Sequence, residues 1–313
     1  MSKRAVLALV ILLAMVDGPA AGADQKRLQI ELYGGLAAVH PGDLNAIPVC
    51  YDEFFPFYYV DRYEYYRQVG YIQDYETQME GRFRSLRWGL PIGLRVRYRV
   101  TSLLDLSLGV RGLWGSAVSR FSIDSLVVDR DGHPSQLVRT YDPLKISAAG
   151  IMPLLGLHIR RSIASGIALE AFLAGGPLLG SVGYVRTIFA GNGEATPLSS
   201  LLQKGSGVGV GLEAGLRLEA LAGRDLRVFL ETGYAYQAVG ALEGGGSLRT
   251  ASVEEAWEGE WGMKEYDLMD YWGAHSLLVA SNRWGPEEAT LWRRGFRLDL
   301  SGAQVRVGIA LRL

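Results

Sequence analysis

The sequence predicts an all-β fold, an eight-stranded antiparallel up-and-down transmembrane β-barrel, and three features of the chain carry that expectation. Eight segments alternate apolar and polar residues with period two. The connections between them alternate long and short along the chain. The face opposite the aliphatic residues is rich in glycine, arginine and glutamate, and glycine is a poor choice for the solvated face of an open sheet.

The first segment, near 26–39, sets Leu28, Ile30 and Leu32 against Gln29, Glu31 and Tyr33. The second, near 88–100, is the clearest: Leu90, Ile92, Leu94, Val96, Tyr98 and Val100 alternate with Gly93, Arg95, Arg97 and Arg99. A helix would scatter these arginines around its circumference, whereas a strand lines them along one face. The third, near 103–118, opposes Leu104, Leu106, Leu108 and Val110 to Asp105, Ser107, Gly109 and Arg111. In the fourth, near 145–161, Ile151, Pro153, Leu155, Leu157 and Ile159 face away from Gly156, His158 and Arg160, with Met152 and Leu154 blurring the polar row.

The fifth segment, near 166–183, sets Ile167, Leu169, Ala171 and Leu173 against Ala168, Glu170, Phe172 and Ala174. In the sixth, near 206–222, Val208, Val210, Leu212, Ala214, Leu216 and Leu218 alternate with glycines and with Glu213, Arg217 and Glu219. The seventh, near 225–239, opposes Leu226, Val228, Leu230, Thr232, Tyr234 and Tyr236 to Arg227, Phe229, Glu231 and Gly233. The eighth, near 296–313, ends with Val305, Val307, Ile309 and Leu311 alternating with Arg306, Gly308, Ala310 and Arg312, and an apparent change of phase over 301–304 predicts a bulge.

Connections 40–84, 119–144, 184–205 and 240–295 are long, while those near Thr101, Ser162 to Ser165 and Ala222 to Arg224 are tight. An even-stranded barrel with both termini on the periplasmic side carries long extracellular loops and short periplasmic turns. Ten strands instead of eight stay open, should 52–80 or 245–292 hold another hairpin. In hydrocarbon every backbone N–H and C=O must be paired within the protein, so strands cross a membrane only as a closed barrel. A one-residue slip of the second segment would move Arg95, Arg97 and Arg99 to the lipid face at about 2–4 kcal/mol each near the midplane. That sum rivals a typical total stability of about 5–15 kcal/mol, so the arginines fix the register.

Residues 1–23 join Lys3 and Arg4, an apolar run over 5–16 and Ala21-Gly22-Ala23, the three parts of a cleavable signal peptide. The run is too short to cross about 30 Å of hydrocarbon as a helix. The expected division is a signal peptide over 1–23 and a barrel domain over 24–313, placed in the outer membrane of a diderm bacterium. A formal net charge of -1 gives no basic stripe for nucleic acid. Cys50, the single cysteine, has no partner for an intrachain disulfide and no metal-ligand companion.

With these features in place, the chain resembles the small bacterial outer-membrane β-barrel proteins, the broad group that contains the outer membrane protein A and W barrels. The resemblance spans nearly the whole mature chain and is most specific in the opening ELYGGLAAVHPGDLN at 31–45 and the closing DLSGAQVRVGIALRL at 299–313. It implies a closed eight-stranded wall, inserted by the outer-membrane assembly machinery and surrounded by outer-membrane lipid and lipopolysaccharide.

The candidate site is the lumen. Inward phase assigns to it Arg95, Arg97, Arg99, Arg111, Arg160, Arg217, Arg227, Arg306 and Arg312 together with Glu31, Asp105, Glu170, Glu213, Glu219 and Glu231. Opposite charges at this density should pair across strands and fill an eight-stranded interior, which only just holds side chains. The surplus of arginines keeps an alternative open, a narrow anion-preferring passage. His40, His133, His158 and His275 form no spaced ligand pair, so neither a metal nor another cofactor is expected.

His133 in DRDGHPS reads as a hairpin tip rather than a triad member. His275-Ser276 would point to opposite faces of a strand, and GSGVGVG at 205–211 follows strand alternation instead of opening a helix. No catalysis is expected. The first long loop crowds aromatics, among them Tyr58, Tyr59, Tyr63, Tyr65 and Tyr66, which suit either surface recognition or self-packing over the barrel mouth. The reading is a non-enzymatic barrel of structural or surface-interaction type with no identified extracellular ligand; the alternative is a narrow conduit for small or hydrophobic solutes.

Overall fold

The structure, a computed structural model, describes residues 28–191, 196–250, 252–260, 262–270, 273–281 and 290–313. The expected signal peptide lies outside them. In chain order the first half contains β1 (Leu28–Ala38), a 3-10 turn (Gly42–Asn45), the helix α1 (Ala46–Gln68), β2 (Asp74–Arg82), β3 (Trp88–Arg99), β4 (Leu104–Val128) and β5 (Pro134–Ala164). The second half holds β6 (Ile167–Gly191), β7 (Thr196–Leu221), β8 (Leu226–Val239), β9 (Glu243–Thr250), β10 (Glu254–Glu260), β11 (Gly262–Asp270), β12 (Gly273–Ser281), β13 (Thr290–Gly295), β14 (Leu298–Asp299) and β15 (Gly302–Arg312).

Eight of these strands close a ring in the order β1, β3, β4, β5, β6, β7, β8 and β15, each antiparallel to its neighbours, with β15 pairing back onto β1. These are the eight segments that the alternation predicts. Following the ladder from Gly34 through Ile92, Gly112, Ile151 and Leu179 leads to Val208 on β7. The opposite way round, through Val307 and Leu230, leads to Leu218 on the same strand, so the ring closes with a stagger of ten residues. At about 3.3 Å per residue and about 4.8 Å between strands, that stagger tilts the strands by about 40° and gives a backbone radius of roughly 8 Å.

The aliphatic rows face outward. On β3, Leu90, Ile92 and Leu94 are 56%, 51% and 52% exposed, while the intervening Arg95 and Arg97 are 2% and 1% exposed. The outward row from Tyr98 to Trp88 rises about 25 Å along the tilted strand, the height of the apolar band of a membrane barrel. Exposed Trp88, Trp114, Tyr234 and Tyr236 mark one rim of that band and Tyr98 the other. Among the described residues no helix is long and apolar enough to cross a membrane.

The expected loops at 119–144 and 184–205 are largely strand. β4 and β5 stay paired from Ser119 opposite Leu144 up to Val128 opposite Pro134, leaving only a short turn. β6 and β7 likewise continue past Tyr184 opposite Gln203. β2 flanks the upper part of β4, and β9 with β10 flanks the upper part of β7. One side of the barrel therefore rises into a tall open wall, whereas β1, β3, β8 and β15 stop near the rim. Sequence between β8 and β14 that left ten strands open instead supplies this wall and a separate three-stranded sheet of β12, β11 and β13.

The bulge expected over 301–304 is absent. Leu298 faces Val239 and Gly302 faces Ala235, so both strands advance by the same number of residues. Phe296, Leu298 and Leu300 look out of phase because the lumen itself is apolar at that height. They join Val39, Leu44, Ile47, Leu86, Leu113, Met152, Leu154, Leu178, Val239 and Leu242 in a buried hydrophobic cluster that fills the upper lumen. Met152 and Leu154 thus sit on the inward row of β5, where their apolar character blurred the predicted polar face.

Candidate functional site

Below the apolar plug the lumen is crossed by ion pairs. Arg95, Arg97, Arg111, Arg160, Arg217, Arg227 and Arg306 are buried, as are Glu31, Asp105, Glu170, Glu213, Glu219 and Glu231. Inward phase on all eight barrel strands delivers these side chains to the lower lumen. Glu31 on β1 accepts hydrogen bonds from Arg97 Nη1 at 2.9 Å, Arg217 Nη1 at 2.8 Å and Arg95 Nη1 at 3.3 Å. Arg97 also lies 2.9 Å from Glu170, and Arg217 lies 3.5 Å from it, so the pairs span the lumen from wall to wall.

Glu231 accepts from Arg95 at 2.9 Å and faces Arg306 Nη2 at 2.9 Å. Glu213 pairs with Arg111 and with Arg306, the latter at 3.0 Å, and Gln304 reaches both Glu213 and Arg111. Toward the tight-turn end Glu219 gathers Arg227 at 2.6 Å, Arg217 at 2.8 Å and Arg160 at 3.0 Å. Asp105 holds Arg97 at 2.7 Å and Arg99 at 3.4 Å. Arg99 and Arg312 are only half-buried, at the turn end of the lumen, and Arg312 makes no ion pair among the described residues. Arginines outnumber carboxylates here, and the excess collects at that end.

Aromatic rings complete the packing. Arg217 lies over Phe229 at 3.6 Å, and Arg95 and Arg306 lie at 5.0 Å and 4.9 Å from the Tyr33 ring. Two lumen glycines make room for those rings: a Cβ at Gly93 would fall inside Tyr33, and one at Gly308 would fall inside Phe229. His158 is buried, hydrogen-bonded through Nε2 to Ser107 Oγ at 2.9 Å and stacked on Phe172. The ion pairs, the aromatic rings and the His158–Ser107 contact together fill the lower interior of the barrel among the described residues. No group of three or more His, Cys, Asp or Glu in those residues is placed to hold a metal.

The plug above the network was not anticipated from the sequence. Its inner parts come from the connection after β1: Asn45 Nδ2 donates to the Leu86 carbonyl at 2.9 Å and Asn45 Oδ1 accepts from Leu86 N–H at 2.8 Å. This clamp fixes Leu44 and Ile47 over the lumen. Asp43 Oδ2 accepts from Arg297 N–H at 2.7 Å, tying the same turn to the residue that leads into β14. A reader of the sequence had one signal, the apolar residues on the inward phase of β5 and of the segment before β15.

The tyrosine-rich stretch is helical. Tyr63 stacks on Tyr75 of β2 at 5.5 Å, Tyr66 meets Tyr71 edge-on at 6.2 Å, and Arg62 lies over Tyr66 at 5.5 Å while donating to its hydroxyl. Tyr65 lies beside Tyr66. The side chains of Tyr58 and Tyr59 lie outside the described residues. Glu64 is held below the usual carboxylate range by its hydrogen bond from Arg67. DRDGHPS forms the β4–β5 turn, where Asp129 Oδ1 accepts from the N–H groups of Asp131 and His133. Near that tip, hydrogen bonds from Arg139 lower the pKa of Asp124, at 2.8 and 2.6 Å. His275 falls on β12, and its side chain lies outside the described residues.

No protein-family model and no curated protein matches the sequence. Among solved structures the chain is similar to a major outer membrane protein from Thermus thermophilus, with 12% identity, 91% of this chain and 99% of that one covered, and a TM-score of 0.31. It is similar to the outer membrane protein OprG from Pseudomonas aeruginosa at 9% identity, with 92% and 98% covered and a TM-score of 0.29. The outer membrane protease OmpT from Escherichia coli is similar at 5% identity, with 94% and 99% covered and a TM-score of 0.35.

Proposed function

We propose that this chain is a non-enzymatic outer-membrane barrel with a closed lumen, whose work is done by the surface it raises beyond the membrane. One observation carries the reading: a charged network and an apolar plug occupy the lumen in series, while β4 to β7 continue above the rim as a wall. A transport route would have to disrupt both layers. A wall built from long paired strands is instead a rigid platform for contact with the surroundings, and the tyrosines of α1 and β2 give it amphipathic contact area. This design is the one that the resemblance to the small barrels typified by outer membrane proteins A and W implies. On this reading the partners are the surrounding lipid and lipopolysaccharide and, during biogenesis, the outer-membrane assembly machinery.

The test is electrical. Refolded protein in a planar bilayer is expected to give no steady single-channel current. Steady, reproducible currents would overturn the closed-lumen reading and promote the narrow conduit, which the arginine excess near Arg99 and Arg312 favours as the second reading. Anion selectivity of such currents would identify that excess as their cause.

A further inference from the structure

Immediately above the rim, on the outer face of the wall, lies a cleft of about 720 Å³ lined by Gly81, Arg82, Arg84, Val118 and Arg120. All three arginines are exposed, and Lys145, the cross-strand partner of Val118, is exposed beside them. Arg82 and Arg120 are themselves cross-strand partners. Like charges directly opposite each other in an antiparallel pair are destabilising unless something neutralises them. Among the described residues none of the three guanidinium groups has a carboxylate partner, whereas Arg139, farther out on the same face, is paired with Asp124.

Two further observations fix the depth and posture of this cluster. The exposed Trp88 and Trp114 stand just below it, at the upper limit of the apolar band, where indole rings settle at the headgroup level. Arg84 is pinned against β4 because its backbone N–H donates to Ser119 Oγ at 2.6 Å. Positive charge therefore stands at the height of lipid headgroups, and the carboxylates of Glu80 and Asp124 come only beyond it. Arginine forks match phosphate oxygens in pairs, and an anion between Arg82 and Arg120 would relieve their repulsion.

We infer that this cleft binds the phosphate-bearing headgroup of an outer-leaflet glycolipid, with its acyl chains lying along the wall below Trp88 and Trp114. The inference rests on the outer-membrane placement proposed above. It is tested with the full mature chain in phosphatidylcholine nanodiscs doped with a bisphosphorylated lipid A, counting by native mass spectrometry the glycolipid retained after transfer to detergent.

The wild type is expected to retain glycolipid, and Arg82→Gln/Arg84→Gln/Arg120→Gln to retain at least about tenfold less. Arg249→Gln, an exposed arginine on β9, should behave as wild type. Equal retention by the triple variant would overturn the inference, as would equal retention of the dephosphorylated glycolipid. Displacement of lipid A by inorganic phosphate alone would also overturn it, by assigning the cleft to a free anion. Heat-modifiable gel mobility monitors folding of every variant. A wild type that never inserts into the discs would sink the membrane placement itself, whereas an inserted barrel without selective retention would sink only the glycolipid site.

Discussion

Glu31 is shared by three arginines from two other strands, so its loss strands more than one charge at once. Removing one partner of a buried ion pair leaves an uncompensated charge and costs about 3–5 kcal/mol, although the intact pair contributes little against an apolar replacement. Glu31→Gln is therefore expected to lower folding stability in lipid or detergent by about that amount, read from a urea titration. Adding Arg217→Met should recover part of the loss, because that substitution removes one of the stranded cations. Purely additive losses would show that the two residues do not act through each other. Glycine makes a second residue-scale case. Gly93→Ala drives a methyl group into the Tyr33 ring and is expected to cost about 1–3 kcal/mol, with Tyr33→Leu in the same chain relieving most of it. The arginines were legible in the sequence because lipid forbids them on the other face. The fit of Gly93 to Tyr33 was not, because it depends on which glycine lies opposite which ring, and that follows from the stagger.

Strands announce themselves by period two, and all eight barrel staves were visible in that pattern; where each strand stops was not. β4 to β7 run on above the membrane, where both faces meet water or other protein and lipid no longer enforces the alternation. Phe121, Ile123 and Leu144 are buried there, yet between polar residues they read as loop. Helix α1 was hidden for a different reason: Pro48 and Pro56, together with a run of aromatics of middling helix propensity, read as irregular chain. The β4–β5 hairpin tip gives this scale its prediction. Hydrogen bonds from Arg139 depress the Asp124 pKa below its ordinary value of about 3.9. A depressed folded value means that the pair supports the tip fully above the unfolded value and loses that support as pH falls through the folded one. Amide exchange around 120–142, corrected for intrinsic rates, should therefore accelerate as the solution is acidified below about pH 4. Asp124→Asn should remove that acid-dependent step while exchanging faster at neutral pH. An identical profile in both proteins would show that the pair does not hold the tip.

For the molecule as a whole, the closed ring fixes a narrow lumen and the sequence fills it twice. The lower filling is electrostatic and belongs to the wall, since every member projects from a barrel strand. The upper filling is hydrophobic and is partly brought in from outside the ring, through Leu44, Ile47, Leu86 and Phe296, with the Asn45–Leu86 clamp holding the first three in place. Two seals of different origin should fail independently. Leu44→Ser with Leu86→Ser puts hydroxyls into the plug and admits water from the outer side, but water then meets the intact network of Glu31, Arg95 and Arg217. No steady current is expected from that variant. Opening the network alone, with Glu31→Ala and Arg217→Ala, leaves the plug dry and is likewise expected to stay silent. Current should appear only when both pairs of substitutions are combined, measured on refolded protein in a planar bilayer with heat-modifiable mobility confirming the fold of each variant. A plug variant that conducts by itself would mean that the ion pairs do not hold back solvent, and the lower lumen would then be a passage kept shut from above.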